Sequence, residues 1–160
     1  MTSIILRLHR QDDVSVLISI FRAAVREIAV GDYTEAQILA WAPDFIDPEK
    51  FGRRCAAKHT WVAETDGLIA GFSDLEPDGH LDMLYVDPRI SRRGVARALF
   101  SHIEGIARIR GLNRLFAEAS ISARPTFEAV GFEVLAPQTV TVRGESMTNY
   151  RMEKRLRRLP

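Results

Sequence analysis

A change of hydrophobic period near residue 60 constrains this chain more than any other feature. Before it, Val14, Leu17, Ile18, Phe21, Val25 and Ile28 recur at three- and four-residue steps. That spacing is one apolar face of a long helix, which Gly31 ends. Ile4 to Leu8, ahead of it, reads as a short β-branched strand. Thr34 followed by Gln37 is a capping-box pattern that opens a shorter helix through Trp41, and Asp47 with Pro48 behind it starts another. After residue 60, Thr60 to Thr65, Leu68 to Leu75 and Leu81 to Val86 are strand-like runs, separated by Asp66-Gly67 and Pro77-Asp78-Gly79. Asp66-Gly67 predicts a tight antiparallel hairpin. A helix from about Gly94 to Arg110 follows, with Val95, Leu99, Ile103 and Ile106 on its apolar face and Gly111 closing it. The rest reads as a strand over Arg114 to Ser120, a short helix over Ala123 to Val130, and strands over Phe132 to Val142 and Ser146 to Lys154. This order excludes an all-helical or all-β chain and predicts one mixed α/β domain over residues 1–160, without repeats or linkers.

Composition narrows the function. The 160 residues are 46% hydrophobic and 27% charged, which suits a globular domain and not a disordered chain. Lys and Arg number 22 against 21 Asp and Glu, a formal charge of +1, so no broad field draws the chain to nucleic acid or an anionic membrane. The single cysteine, Cys55, excludes an internal disulfide and a multi-cysteine zinc site, and a buried, unreactive thiol is expected. No His, Asp or Glu set has metal-ligand spacing, so no metal is expected. No run approaches the roughly 18 apolar residues of a membrane span. Arg7 interrupts the only apolar patch near the start, so no signal peptide is expected and the location expected is cytoplasmic. The basic end, Arg151 to Pro160, reads as the solvated finish of the last strand, a nucleic-acid contact being the alternative.

The stretch that carries chemistry is His80 to Leu99: a strand, a short basic loop and a helix start. The first turn of a helix leaves backbone N–H groups without intrahelical partners, and the helix dipole adds positive potential there. Gly94 lets a ligand approach the backbone, Ala96 keeps the first turn open, and Arg92 and Arg93 add charge that a diphosphate would recruit. The loop is neither a Walker sequence nor a GxGxxG fingerprint. On loop physics alone it is equally a solvated basic turn.

Leu84-Tyr85-Val86-Asp87-Pro88, Arg92-Arg93-Gly94-Val95-Ala96 and Ala98-Leu99 together resemble the acyl-CoA motif of the GNAT superfamily of N-acetyltransferases. Phe127-Glu128-Ala129-Val130-Gly131-Phe132 is similar to its second signature, and the order of elements matches from end to end. Tyr33 with the Gln37–Trp41 stretch, and Thr148-Asn149-Tyr150, resemble the bacterial YafP-like branch. The resemblance implies an α/β (α+β) fold: a largely antiparallel central sheet of about six to seven strands, flanked by about four helices and splayed at the strand before the loop. It implies acetyl-CoA as co-substrate. The backbone of Leu84, Tyr85 and Val86 would meet the pantetheine, and Ser91, Arg92, Arg93, Gly94, Val95, Ala96 and Arg97 would cradle the pyrophosphate. Ser120 and Phe127 would also lie beside the cofactor. Ser91 stands where the family loop usually has Gln or Arg, which implies a weaker phosphate contact. Phe127 stands where many relatives have a tyrosine able to protonate the leaving thiolate, so Tyr150, a water, or no group at all would serve.

A transferred acetyl group needs a neutral amine, and hence a proton acceptor. Period-two alternation puts Asp82 on the strand face of Leu84 and Val86, where relatives often carry a base, and an apolar cleft would raise its pKa. The alternative for Asp82 is a carboxylate paired with an arginine. Glu118 on the neighbouring strand is the second candidate. His80 is the third, although its place after Gly79 predicts an exposed loop histidine. Tyr33 and Trp41 are expected to line the acceptor pocket with Tyr150, and Asp32 and Asp44 would suit a cationic amine. The function expected is direct acetyl transfer to a small-molecule or peptide amine in a ternary complex, with a homodimer common among relatives. The alternatives are a non-catalytic acyl-CoA-binding regulator, suggested by Ser91 and Phe127, and a small nucleic-acid-binding domain.

Overall fold

The structure, a computed structural model, describes residues 3–90 and 92–157, so Ser91 of the expected anion loop lies outside the described residues. In chain order the elements are β1 (Ile4–Leu8), α1 (Val14–Ile28), α2 (Glu35–Trp41), α3 (Pro48–Ala57), β2 (His59–Thr65), β3 (Leu68–Leu75), β4 (His80–Leu81), β5 (Leu84–Val86), α4 (Val95–Ile109), β6 (Arg114–Ser120), α5 (Arg124–Ala129), β7 (Glu133–Val142) and β8 (Glu145–Arg155). The strands form two four-stranded sheets, ordered β1-β2-β3-β5 and β4-β6-β8-β7. Their ladders are antiparallel except that of β4 with β6. The expected splayed sheet thus takes the form of two sheets that part at one strand.

Local signals explain most of the elements. The apolar stripe of α1 from Val14 to Val25 is buried against the first sheet, where the Phe21 and Tyr85 rings meet edge to face at 4.9 Å, while Ile28 at its end is exposed. Thr34 and Gln37 form the expected reciprocal cap on α2, and the Gln37 amide also donates to the Ser146 carbonyl at 2.8 Å, tying α2 to β8. The Asp47 carboxylate caps α3 through the Glu49 N–H at 3.0 Å, with Pro48 in the first turn. On the opposite face, Leu99 and Ile103 of α4 are fully buried. Each such side chain contributes about 1.5–3 kcal/mol of burial. Phe127 packs edge-on between Phe100 and Phe132, with centroids 5.0 and 5.1 Å away.

The run expected as one strand from Leu81 to Val86 is broken at Asp82 and Met83. Its first piece pairs with β6 through His80↔Phe116 and Leu81↔Ala117; its second pairs with β3 from Ser73↔Leu84 to Gly71↔Val86. Asp74, fully buried near the end of β3, holds the break. Its Oδ1 accepts from the N–H of Asp82 at 2.8 Å and of Met83 at 3.1 Å. The Met83 carbonyl accepts in turn from the Ser73 hydroxyl at 2.7 Å and the Asp74 N–H at 3.2 Å. Two amides that a continuous strand would offer to a ladder are therefore spent on a side chain. Asp74 Oδ2 has no partner, and burial pushes this carboxyl up to about 6 against the pull of the two amides.

A raised carboxyl pKa means that the folded chain binds the proton more tightly than the unfolded one. The stability it contributes is present at low pH and is lost as pH rises through about 6. A rise from 3.8 to about 6 corresponds to about 3 kcal/mol. Asp74→Asn keeps a carbonyl for both amides and carries no charge. Urea unfolding of both proteins from about pH 4 to about pH 7.5 should show the variant gaining about 2.5 kcal/mol relative to the parent, the rest of the effect lying below about pH 4. A difference that does not change with pH would contradict the raised pKa.

Candidate active site

The parting of the sheets leaves a cleft of about 390 Å³. β5 pairs with β3 alone and β6 meets β4 at only two positions, so beyond Leu81 and Ala117 both strands turn backbone edges into the opening. α1 and the turn after it close one side with Ala24, Val25, Ile28 and Ala29, an apolar wall of which the helix periodicity showed Val25 and Ile28 only as core. The Tyr85 ring is anchored between Phe21 and Phe72, and burial pushes its hydroxyl well above the ordinary value, so it stays protonated.

One end of the cleft is cationic. Asp87, buried after β5, accepts from the Arg89 backbone N–H at 3.0 Å and its guanidinium at 2.8 Å, which shapes the turn toward α4. That contact holds the Asp87 carboxyl below its ordinary value. The chain then passes through two left-handed residues, Arg92 at φ 65° and Gly94 at φ 79°. Gly94 is the N-cap of α4, no side chain among the described residues caps the helix, and a Cβ on Gly94 would meet no described atom within 4 Å. The first intrahelical bond runs from the Ala98 N–H to the Gly94 carbonyl, so the N–H groups of Val95, Ala96 and Arg97 have no partner within the helix. Arg92 and Arg97 flank them on the cleft wall.

The other end carries carboxylates in an alternating chain of charge. Asp82 Oδ2 accepts from Lys58 Nζ at 2.5 Å and from Arg54 Nη2 and Nε at 2.5 and 2.9 Å. Burial alone would raise its pKa, but these bonds outweigh it and hold the carboxyl below the ordinary value. This corrects the expectation of an Asp82 made basic by an apolar cleft. Lys58 also pairs with Glu76 at 3.2 Å. Glu76 Oε1 lies 2.7 Å from His80 Nδ1, and His80 Nε2 lies 2.5 Å from Glu118 Oε2. His80 is therefore no exposed loop histidine. The left-handed Gly79, at φ 98°, turns it into β4, its ring stacks on Phe116 at 5.0 Å, and its side chain is 18% exposed. Desolvation pulls its pKa down, but Glu118 and Glu76 outweigh that and raise it.

Of the residues singled out from the sequence, Leu84, Tyr85, Val86, Arg92, Gly94, Val95, Ala96, Arg97, Ser120 and Phe127 line the cleft, as do Asp82, Glu118 and Trp41. Arg93, Tyr33 and Tyr150 are not among the lining residues. The Tyr33 hydroxyl donates to the Thr148 carbonyl at 2.7 Å and accepts from the Ile121 N–H at 2.9 Å, so it joins the turn before α2 to β8 and to the residue after β6. The Tyr150 ring lies under the Arg124 guanidinium at 4.6 Å. Asp32 accepts from the Ser122 hydroxyl at 2.7 Å, and Asp44 pairs with Arg26 at 2.7 Å. Sequence reasoning missed Arg54, Lys58 and Glu76, whose partners lie on other elements.

The family model described as an acetyltransferase (GNAT) domain matches residues 29–154. An uncharacterized N-acetyltransferase of Escherichia coli K12, YafP, is 36% identical over 152 residues, 95% of this chain and 96% of that one. A GCN5-related N-acetyltransferase structure from Rhodopseudomonas palustris superposes with a TM-score of 0.92 at 35% identity, over 98% of each chain. PaiA N-acetyltransferase from Thermoplasma acidophilum, solved in complex with coenzyme A, shares the fold at a TM-score of 0.79 and 20% identity, over 96% of this chain and 99% of that one.

Tyr33→Phe removes one hydroxyl that makes two part-buried hydrogen bonds to the backbone. Denaturant unfolding should show a loss of about 1–3 kcal/mol, while ligand affinity at the cleft stays within about twofold. A large affinity loss in the folded variant would return Tyr33 to the pocket.

Proposed function

This chain belongs to the GNAT acetyltransferase family and is an N-acetyltransferase, and we propose that it moves the acetyl group of acetyl-CoA directly to an amine acceptor in a ternary complex. The observation that carries this reading is the cleft itself, which runs from the N-terminus of α4 to Glu118 between two strand edges that do not pair with each other. The fold neighbour from Thermoplasma acidophilum was solved with coenzyme A, and a second, from Salmonella typhimurium, with acetyl-CoA at a TM-score of 0.74. The residues of this chain fit such a ligand. The open space beside Gly94 and the N–H groups of Val95, Ala96 and Arg97, without partners within the helix, suit a diphosphate, with Arg92 and Arg97 supplying charge from the cleft wall. The backbone edge of Leu84, Tyr85 and Val86 suits the amides of a pantetheine arm, with Ser120 and Phe127 across the opening. N–H groups on that edge would stabilise the oxyanion formed when the amine attacks the thioester carbonyl.

Glu118 is the carboxylate we assign to the amine. Its side chain is 42% exposed and lines the cleft, whereas Asp82 is committed to Lys58 and Arg54. Asp82 then serves by holding those cations in place. Phe127 has no proton to give and Tyr150 faces Arg124, so the thiolate leaves without a side-chain acid. Trp41 and the α1 wall border the space left for the acceptor, a small-molecule or peptide amine.

Calorimetry with acetyl-CoA should show binding that needs the pantetheine arm, and a thiol-release assay should show CoA formed with at least one member of an amine panel. Gly94→Glu places a carboxylate against the diphosphate. Affinity should fall more than about 100-fold, because a like-charge contact costs several kcal/mol. Folded protein that neither binds acetyl-CoA nor releases CoA would sink the proposal, and unchanged affinity in Gly94→Glu would misplace the site.

A further inference from the structure

Both ring nitrogens of His80 lie against carboxylate oxygens, at 2.5 Å from Glu118 and 2.7 Å from Glu76. A neutral imidazole has one N–H and one bare nitrogen. Between two ionised carboxylates the bare nitrogen would turn its lone pair onto an oxygen lone pair at contact distance. The geometry is satisfied only when the three side chains hold one proton more than a neutral ring between two carboxylates. Other charges set the balance. Lys58 partly neutralises Glu76 at 3.2 Å from the same Oε1 that faces His80, and Asp82 shares that lysine. Arg114 lies over the Phe116 ring on which His80 stacks, and Arg151 stands opposite Glu118 in the β6–β8 register. The Asp78 carboxylate accepts the His80 backbone N–H at 3.1 Å.

We propose that Glu118, His80 and Glu76 act as one proton-holding unit, in which Glu118 takes the proton of the acceptor amine and His80 and Glu76 are positioning residues that hold it. The proposal rests on the acetyl-transfer reading above. Glu118 is the one of the three that lines the cleft. As the amine nitrogen bonds to the acetyl carbon, its N–H bond breaks, the electron pair stays on nitrogen, and the proton passes to Glu118. The Glu118 hydroxyl then donates to His80 Nε2 while the Nδ1–H remains on Glu76. The CoA thiolate leaves with the electron pair of the broken thioester bond. The unit gains one proton per turnover and returns it to solvent through Glu118. A carboxylate alone would release a proton far below neutral pH. Sharing it with an imidazole whose protonated form the two carboxylates favour raises the pH at which the proton is given up.

The test has two readouts on the full chain. The ring C–H signal of His80, assigned by its absence in His80→Gln, should titrate above the ordinary histidine value of about 6.5. It should fall by about one pH unit or more in Glu118→Gln and in Glu76→Gln. The acid limb of kcat/KM for an accepted amine should follow the same midpoint and move down with it in Glu76→Gln. Glu118→Gln should lower kcat about 100-fold with KM for acetyl-CoA within about twofold. A folded, active protein whose His80 titrates at the ordinary value, or whose acid limb ignores Glu76→Gln, overturns the unit while sparing the transferase reading. A shifted His80 in a protein that acetylates no amine overturns that reading, and the role of Glu118 falls with it.

Discussion

A buried carboxylate that takes two adjacent backbone amides out of strand pairing governs this architecture. By accepting from Asp82 and Met83, Asp74 ends β4 after Leu81 and starts β5 at Leu84. The two short pieces then belong to different sheets, one paired with β6 and the other with β3. Without that break, one strand would run on and leave no opening between β5 and β6. Burying a charged group with one unpartnered oxygen is costly, and nothing in the core packing needs it. Its return is geometric: a strand edge that faces a cleft and not a ladder. Ser73 repeats the device for the carbonyl side, so both polar groups of the Met83 linkage are satisfied from β3.

The same break sets the electrostatics of the polar end. Asp82 lies where the chain leaves the ladder, so its side chain reaches Arg54 and Lys58 from α3 and its exit. His80 lies two residues earlier, still paired with Phe116, and there its ring reaches Glu118 on β6. The resulting chain of Glu118, His80, Glu76, Lys58, Asp82 and Arg54 alternates in sign, so it orients individual groups without building a strong net field. This is why two neighbouring titratable side chains move in opposite directions: cations around Asp82 favour its ionised form, and carboxylates around His80 favour its protonated form.

What was legible in the sequence follows from how local each signal is. The α1 stripe, the Thr34–Gln37 cap, the Asp47-Pro48 start and the Asp66-Gly67 hairpin depend on residues a few positions apart, and each is present. The basic loop and Gly94 were legible because a strand running into a helix start is itself a local pattern. The break at Asp82 was not legible: alternation through Leu81 to Val86 looks like one strand, and only a side chain from β3 interrupts it. Tyr33 shows the same limit. An aromatic near other aromatics suggests a pocket, yet its hydroxyl is taken by Thr148, 115 residues away. His80 looked exposed because a turn glycine precedes it, while the partners that enclose it lie on β6 and in the turn after β3.

Acetyl transfer from a thioester to an amine is unequal in its proton demands. An alkylammonium has a pKa near 10.4 and must lose a proton to become a nucleophile, whereas a thiol at about 8.5 leaves readily as its anion. The cleft matches that inequality. Titratable side chains collect at the end assigned to the amine, where Glu118 meets His80. At the side assigned to the thiol, Phe127 packs against Phe100 and Phe132 and presents carbon. Phe127 is then no sign of a lost activity. An apolar side chain stands at the step that needs a proton least, while under the proposed assignment the step that cannot proceed without a proton acceptor has three side chains to share the load.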